Sequence, residues 1–136
     1  MDTVMLESDT IVFCVNAKSF PEGVQEAHQS LHAKYPPAPG RQYYGISYLY
    51  EGEINYKAAV GFGDLAEDIS PDLEKFVIRK GKYAGKVIRN FMEDIPAIGR
   101  AFRDLLKDVR IDPNGYCLEE YINFNDVRCL VKLKDD

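Results

Sequence analysis

Gln42-Tyr43-Tyr44-Gly45-Ile46-Ser47-Tyr48-Leu49-Tyr50, then Glu51-Gly52-Glu53, then the run from Ile54 to Phe62, is the stretch that decides the fold. Both runs are rich in β-branched and aromatic residues. The second places Ile54, Tyr56, Ala58, Val60 and Phe62 on one parity. Alternation with period two marks a strand with one buried face. A polar, glycine-centred triplet between two such runs predicts a hairpin. On the N-terminal side, Ile11-Val12-Phe13-Cys14-Val15 reads as a buried strand. Ser19-Phe20-Pro21-Glu22 follows, a helix-start signal. Val24, Ala27, His28, Leu31 and Tyr35 then recur at spacings of three and four, a semi-apolar helical stripe that Pro36-Pro37 stops.

The same order recurs beyond an acidic stretch, Asp64 to Asp72, which is the expected linker. Phe76 to Phe91 predicts one long extended segment, interrupted at Gly81 and Gly85. Glu93-Asp94-Ile95-Pro96 opens a second helix, with acids where the helix dipole favours them. Ile95, Ile98, Phe102, Leu105, Leu106 and Val109 form its apolar stripe. After the turn cluster Asp112-Pro113-Asn114-Gly115, Tyr116 to Phe124 and Val127 to Leu133 predict a second hairpin around Asn125-Asp126. Strand–helix–strand–strand is thus expected twice, in pseudo-repeats of about 8–63 and 74–134. Pro21 and Pro96 are 75 positions apart, and Tyr44 and Tyr116 are 72 apart. Half-chains this small bury little core alone, so one α+β domain over 1–136 is expected, with both halves in one antiparallel sheet. A ligand cleft is expected at their seam.

Composition narrows the function. The 136 residues carry a net charge of −5, which argues against a sequence-independent grip on nucleic acid or on anionic lipid. No window approaches the ~18 apolar residues of a membrane span. The start lacks the basic and apolar regions of a secretory signal. Cys14, Cys117 and Cys129 are odd in number and sit in apolar runs, so they read as structural thiols of a reducing cytoplasm. His28 and His32 stand at i,i+4 without a companion ligand motif, so no metal and no cofactor is expected. Phosphate-loop, nucleophile-elbow and zinc-protease motifs are absent, and Gly61-Phe62-Gly63 is only part of a dinucleotide fingerprint. Tyrosine is plentiful, with nine copies and no Trp, which suits a half-polar cavity as well as a core.

In Cys117-Leu118-Glu119-Glu120-Tyr121-Ile122-Asn123, alternation puts Cys117, Glu119, Tyr121 and Asn123 on one face. Leu118, Glu120, Ile122 and Phe124 take the other. One glutamate must therefore lie among apolar neighbours, where a carboxylate is costly unless paired or hydrogen-bonded. The plain alternative is an edge strand with both glutamates in water, or one paired to a helix arginine.

Lys75-Phe76-Val77-Ile78-Arg79-Lys80-Gly81-Lys82-Tyr83-Ala84-Gly85 resembles the G-K-Y-A strand of the GyrI-like small-molecule-binding family, also the effector-binding domain of AraC- and MerR-type transcription regulators. Leu118 to Asn123 is similar to the family's apolar-Glu-x-Tyr-apolar-Asn strand, and Val127 to Leu133 to its final strand. Gly45 to Tyr50 is similar to its Gly- and Tyr-containing strand. The resemblance implies a duplicated fold with a ligand groove between the halves. It makes Glu119 the pocket glutamate with Tyr121 beside it, and Tyr48, with Tyr44 and Tyr50 on its parity, the lining of the opposite half. Departures are the absence of Trp, the absence of Pro from the last strand, and a short connection after Asn123.

The expectation is a stand-alone cytoplasmic module that binds a cationic or amphipathic small molecule, regulating through a protein partner or sequestering a drug. Tyrosine faces would add about 0.5–2 kcal/mol each to a bound cation. No helix-turn-helix segment fits before Ile11 or after Leu133, so no direct contact with nucleic acid is expected, nor with a membrane. The alternative is a hydrolase of electrophilic small molecules, with Glu119 as base and Tyr121 or Tyr48 as acid. A third reading is an interaction protein without a pocket.

Overall fold

The computed structural model describes residues 2–63 and 69–135; the first part of the expected linker, residues 64–68, lies outside the described residues. The described residues are α+β, with eight antiparallel strands and two α-helices. The chain divides into two compact units: a continuous one, Thr10–Ile78, and a split one made of Met1–Asp9 and Arg79–Asp136.

The continuous unit holds β2 (Thr10–Asn16), α1 (Val24–Lys34), β3 (Gln42–Tyr50), β4 (Glu53–Gly61) and β5 (Glu74–Ile78), its sheet ordered β3-β4-β2-β5. The hairpin forms as read, with Tyr50 opposite Glu53 and Gln42 opposite Gly61. Glu51 and Gly52 both have positive φ, 53° and 79°. Two left-handed residues make the primed turn whose twist matches that of the strands. Pro21 lies in the turn before α1, which starts at Val24. Ala27, Leu31 and Tyr35 of the expected stripe pack on Tyr56, Ala58, Val60 and Phe62. That leaves Val12, Cys14, Tyr44, Ile46, Lys57 and Ala59 on the sheet face opposite α1.

The split unit holds β1 (Asp2–Leu6), β6 (Gly81–Ile88), a 3-10 turn at Phe91–Glu93, α2 (Pro96–Leu105), β7 (Cys117–Tyr121) and β8 (Val127–Lys132), ordered β1-β6-β8-β7. Ala101 and Leu105 pack on Ala84, Val127, Cys129 and Val131. Gly85 sits between β1 and β8, opposite Asp2 and Leu130. A Cβ there would stand 2.8 Å from both Leu130 Cδ2 and Val4 Cγ2.

Four expectations change. Strand β1 was not foreseen; it adds to β6, with Val4 opposite Tyr83. The segment Phe76 to Phe91 is two strands in different units, β5 on β2 and β6 on β8. The break falls at Arg79-Lys80, where the Arg79 N–H donates to the Tyr116 hydroxyl (2.9 Å) and the Lys80 N–H to Asp9 Oδ1 (2.8 Å). α2 stops at Leu105, and tight turns carry the chain away through Lys107 and Asp108, so Val109 is 91% exposed. β7 ends at Tyr121 because Asn123 Oδ1 accepts the N–H groups of Asn125 (2.7 Å) and Asp126 (2.9 Å), closing a side-chain turn. Among the described residues, no helix is long and apolar enough to cross a membrane.

Candidate functional site

On β7, Cys117 and Tyr121 pack into the core cluster beneath α2. Strand alternation therefore brings Glu119 to the helix side of the split unit's sheet, half-buried, with Cys129 directly across on β8. The Tyr121 hydroxyl donates to Glu119 Oε1 at 2.5 Å. The Phe91 ring stands 5.6 Å from that of Tyr121, inclined at 59°. Ile98 and Phe102 of α2 pack on the same cluster. Burial pushes the Cys129 thiol up to about 12, and the nearby Glu119 charge adds to the rise, as does Cys117. A thiol held protonated is a neutral wall, so the negative charge here belongs to Glu119. The arrangement is a carboxylate and a phenol on an apolar surface of aromatic rings and thiols. It can receive a cation or a hydrogen-bond donor, and it holds a phenolic oxygen 2.5 Å from a carboxylate oxygen that can act as a base.

Glu120 takes the opposite face. Its carboxylate meets Arg128, its cross-strand partner, at 2.9 Å, and both are half-buried. The plain alternative paired one glutamate with a helix arginine; here a strand arginine pairs with Glu120 because the register sets the two directly opposite. Arg128 Nε is buried without a hydrogen-bond partner among the described residues.

In the continuous unit, Tyr44, Tyr48 and Tyr50 lie on the sheet face opposite α1. Tyr44 is buried, Tyr48 half-buried and Tyr50 exposed. The Tyr48 ring already has a cation: Lys57 Nζ stands 5.7 Å from its centroid. That ammonium, 5% exposed as a residue, donates to Asn16 Oδ1 (2.7 Å) and Glu74 Oε1 (2.9 Å). Burial works against its charge, yet hydrogen bonds and charge from Glu74 and Tyr48 outweigh that and hold its pKa above the ordinary lysine range. Glu74 is held below the usual carboxylate range by Asn16 and then Lys57.

His28 stands in the α1 stripe as read, but the tyrosine partners of the two histidines on the helix side of this unit escaped the sequence reading. His28 Nε2 lies 2.7 Å from the Tyr56 hydroxyl, and Phe20 stacks on Tyr56 with ring centroids 6.0 Å apart. His32 stacks on Tyr43 at 4.2 Å. Burial lowers the His28 pKa to about 4, with His32 adding to the fall. The available signal was parity: Tyr43 and Tyr56 fall on the same sheet face as the apolar stripe of α1, to which His28 belongs. Among the described residues no group of three or more His, Cys, Asp or Glu could hold a metal. Other tyrosines are also occupied within the chain. Tyr83 and Tyr116 share a 2.6 Å hydroxyl bond, with Lys132 over the first ring and Arg79 over the second.

An antiparallel sheet carrying one helix in each compact unit defines the class. Among solved structures it is similar to an integron cassette protein from the mobile metagenome of Vibrio cholerae, with a TM-score of 0.63 and 14% identity over 98% of this chain and 95% of that one. At that identity the likeness is one of fold. No protein-family model matches the chain, and no curated protein matches it.

Proposed function

We propose that this chain is a GyrI-like small-molecule-binding module whose ligand presents a cationic or strongly hydrogen-bonding group to Glu119. The observation that carries the reading is the half-buried Glu119 carboxylate, held by Tyr121 on the helix side of its sheet beside the Phe91 ring and the protonated Cys129. A carboxylate in such surroundings attracts a cation more strongly than one in water, because less solvent screens it.

The duplicated architecture belongs to the same reading. Support comes from the matching strand orders β2-β4-β3 and β6-β8-β7, and from Ala27 and Leu31 recurring as Ala101 and Leu105, 74 positions on. By this correspondence Gly45, opposite Ala58, takes the place that Glu119 holds opposite Cys129. The cation-receiving role then falls to Glu119 and Tyr121, while Tyr48 serves Lys57. Three free cysteines suit a cytoplasmic setting. A regulatory or sequestering role is part of the same proposal.

Isothermal titration with tetraphenylphosphonium, a lipophilic cation, tests the site. Glu119→Gln is expected to weaken binding at least tenfold while the thermal melt is kept. Equal affinity in the variant removes Glu119 from the site. The Tyr121–Glu119 hydrogen bond also favours a second reading, acid–base hydrolysis of an electrophilic substrate. Turnover of an epoxide that is lost in both Glu119→Gln and Tyr121→Phe would select it.

A further inference from the structure

The tip of the β3–β4 hairpin carries apolar side chains in water. Leu49 and Ile54 are cross-strand partners, 73% and 49% exposed, and Tyr50 beside them is 62% exposed. Strand β2 runs beside β4 only from Lys57 onward, with one further bond from the Ala17 N–H to the Tyr56 carbonyl. Among the described residues, therefore, no strand flanks Glu53–Asn55 on that side. Glu51 and Glu53, both exposed, make the tip acidic.

Among its described residues the split unit has, besides the single exposed side chains Met5 and Val87, two groups of exposed apolar residues. Met92, Ile95, Ile122 and Phe124 lie among Glu93, Asp94 and Asp126; Arg100 engages Asp94 and Arg89 engages Asp126 (3.1 Å), so Glu93 leaves a surplus charge of the same sign as the tip. Leu106, 51% exposed, and Val109 lie at the end of α2 among Arg103, Lys107 and Arg110. Asp104 and Asp108 there are engaged by Lys107 (3.6 Å) and Arg110 (2.6 Å). Arg103 has no ion-pair partner among the described residues, and it gives this end of the helix a surplus positive charge.

We propose that the hairpin tip of one copy docks on the C-terminal end of α2 in a second copy of this chain. Leu49 and Ile54 cover Leu106 and Val109, and Glu51 at the turn faces Arg103 and Lys107, while Glu53 on the other face of the hairpin adds to the negative potential of the tip. Charge selects this surface over the Met92–Phe124 group, because like charges across an interface oppose docking. A contact of so few residues covers well below the ~1,000 Å² of a stable interface, so the association is weak.

Sedimentation equilibrium of the full chain from about 10 μM to 1 mM is expected to show the average mass rising above that of the monomer, less so at high salt. Glu51→Lys with Glu53→Lys, or Arg103→Glu with Lys107→Glu, is expected to weaken association at least tenfold, and combining all four to restore it. Leu49→Ser with Ile54→Ser is expected to abolish it. All these positions are exposed, so circular dichroism should show each variant folded. A chain that stays monomeric at 1 mM overturns the proposal. So does association indifferent to both charge reversals, or a fourfold variant that fails to recover.

Discussion

Acidification is expected to loosen the continuous unit through His28. His28 lies on α1 with Nε2 2.7 Å from the Tyr56 hydroxyl, against the core of that unit. Burial, and then the neighbouring His32, lowers its pKa from 6.5 to about 4. The folded state therefore keeps the ring neutral where the unfolded chain would protonate it. Between these two values the unfolded state binds more protons, so stability falls with falling pH. The contribution is fully present above about pH 6.5 and is lost as the pH drops toward 4. Below that, both states are protonated and the loss stops. At about 1.4 kcal/mol per pH unit, the gap is worth roughly 3 kcal/mol. With a urea slope of about 1–3 kcal/mol per molar, the midpoint should move by roughly 1–3 M. His32, also lowered by burial, acts in the same direction. Glu74, lowered mainly by its hydrogen bond to Asn16, contributes only at more acid pH. Glutamine at position 28 keeps a hydrogen-bonding group toward Tyr56 and does not titrate. Urea unfolding of wild type and His28→Gln, followed by hydrogen exchange at the Leu31 and Ala58 amides, isolates the term. Wild type should lose about 3 kcal/mol more than the variant between pH 7 and 4. Superimposed profiles would refute the reasoning.

Two further outcomes follow from packing. Gly85→Ala places a methyl group 2.8 Å from Leu130 and Val4, and overpacking should cost about 1–3 kcal/mol in a thermal melt. A variant as stable as wild type would mean that β1 can move aside freely. Removing Glu74 strands the nearly buried Lys57 ammonium on Asn16, so Glu74→Ala should cost about 2–4 kcal/mol. Lys57→Met removes the charge itself and should cost much less; the reverse order by chemical denaturation would contradict this account.

The hairpins were legible because their signals are local. Glu51-Gly52 supplies the left-handed pair that a primed turn requires, and the parity of Tyr56, Ala58 and Val60 names the buried face. Helix spacing identified Ala27, Leu31, Tyr35 and Leu105 as core, but it ran past Leu105 to Val109, where turns end the helix. Strand β1 was missed because five residues carry little pattern and their pairing with β6 lies about 80 positions away in the chain. The division of Phe76–Phe91 was missed for a related reason. What ends β5 is the use of the Arg79 and Lys80 N–H groups by Tyr116 and Asp9, distant in sequence.

The site divides in the same way. Sequence alone determined that Glu119 and Tyr121 share a face and that Glu120 takes the other, since strand parity is a property of adjacent residues. Only the tertiary structure decided which face lies beneath α2, because a strand's pattern does not name what packs on it. It also decided that Arg128 answers Glu120, that Lys57 occupies the Tyr48 ring, and that His28 is held neutral against Tyr56. Each of these depends on register or burial, and both arise when separate segments meet.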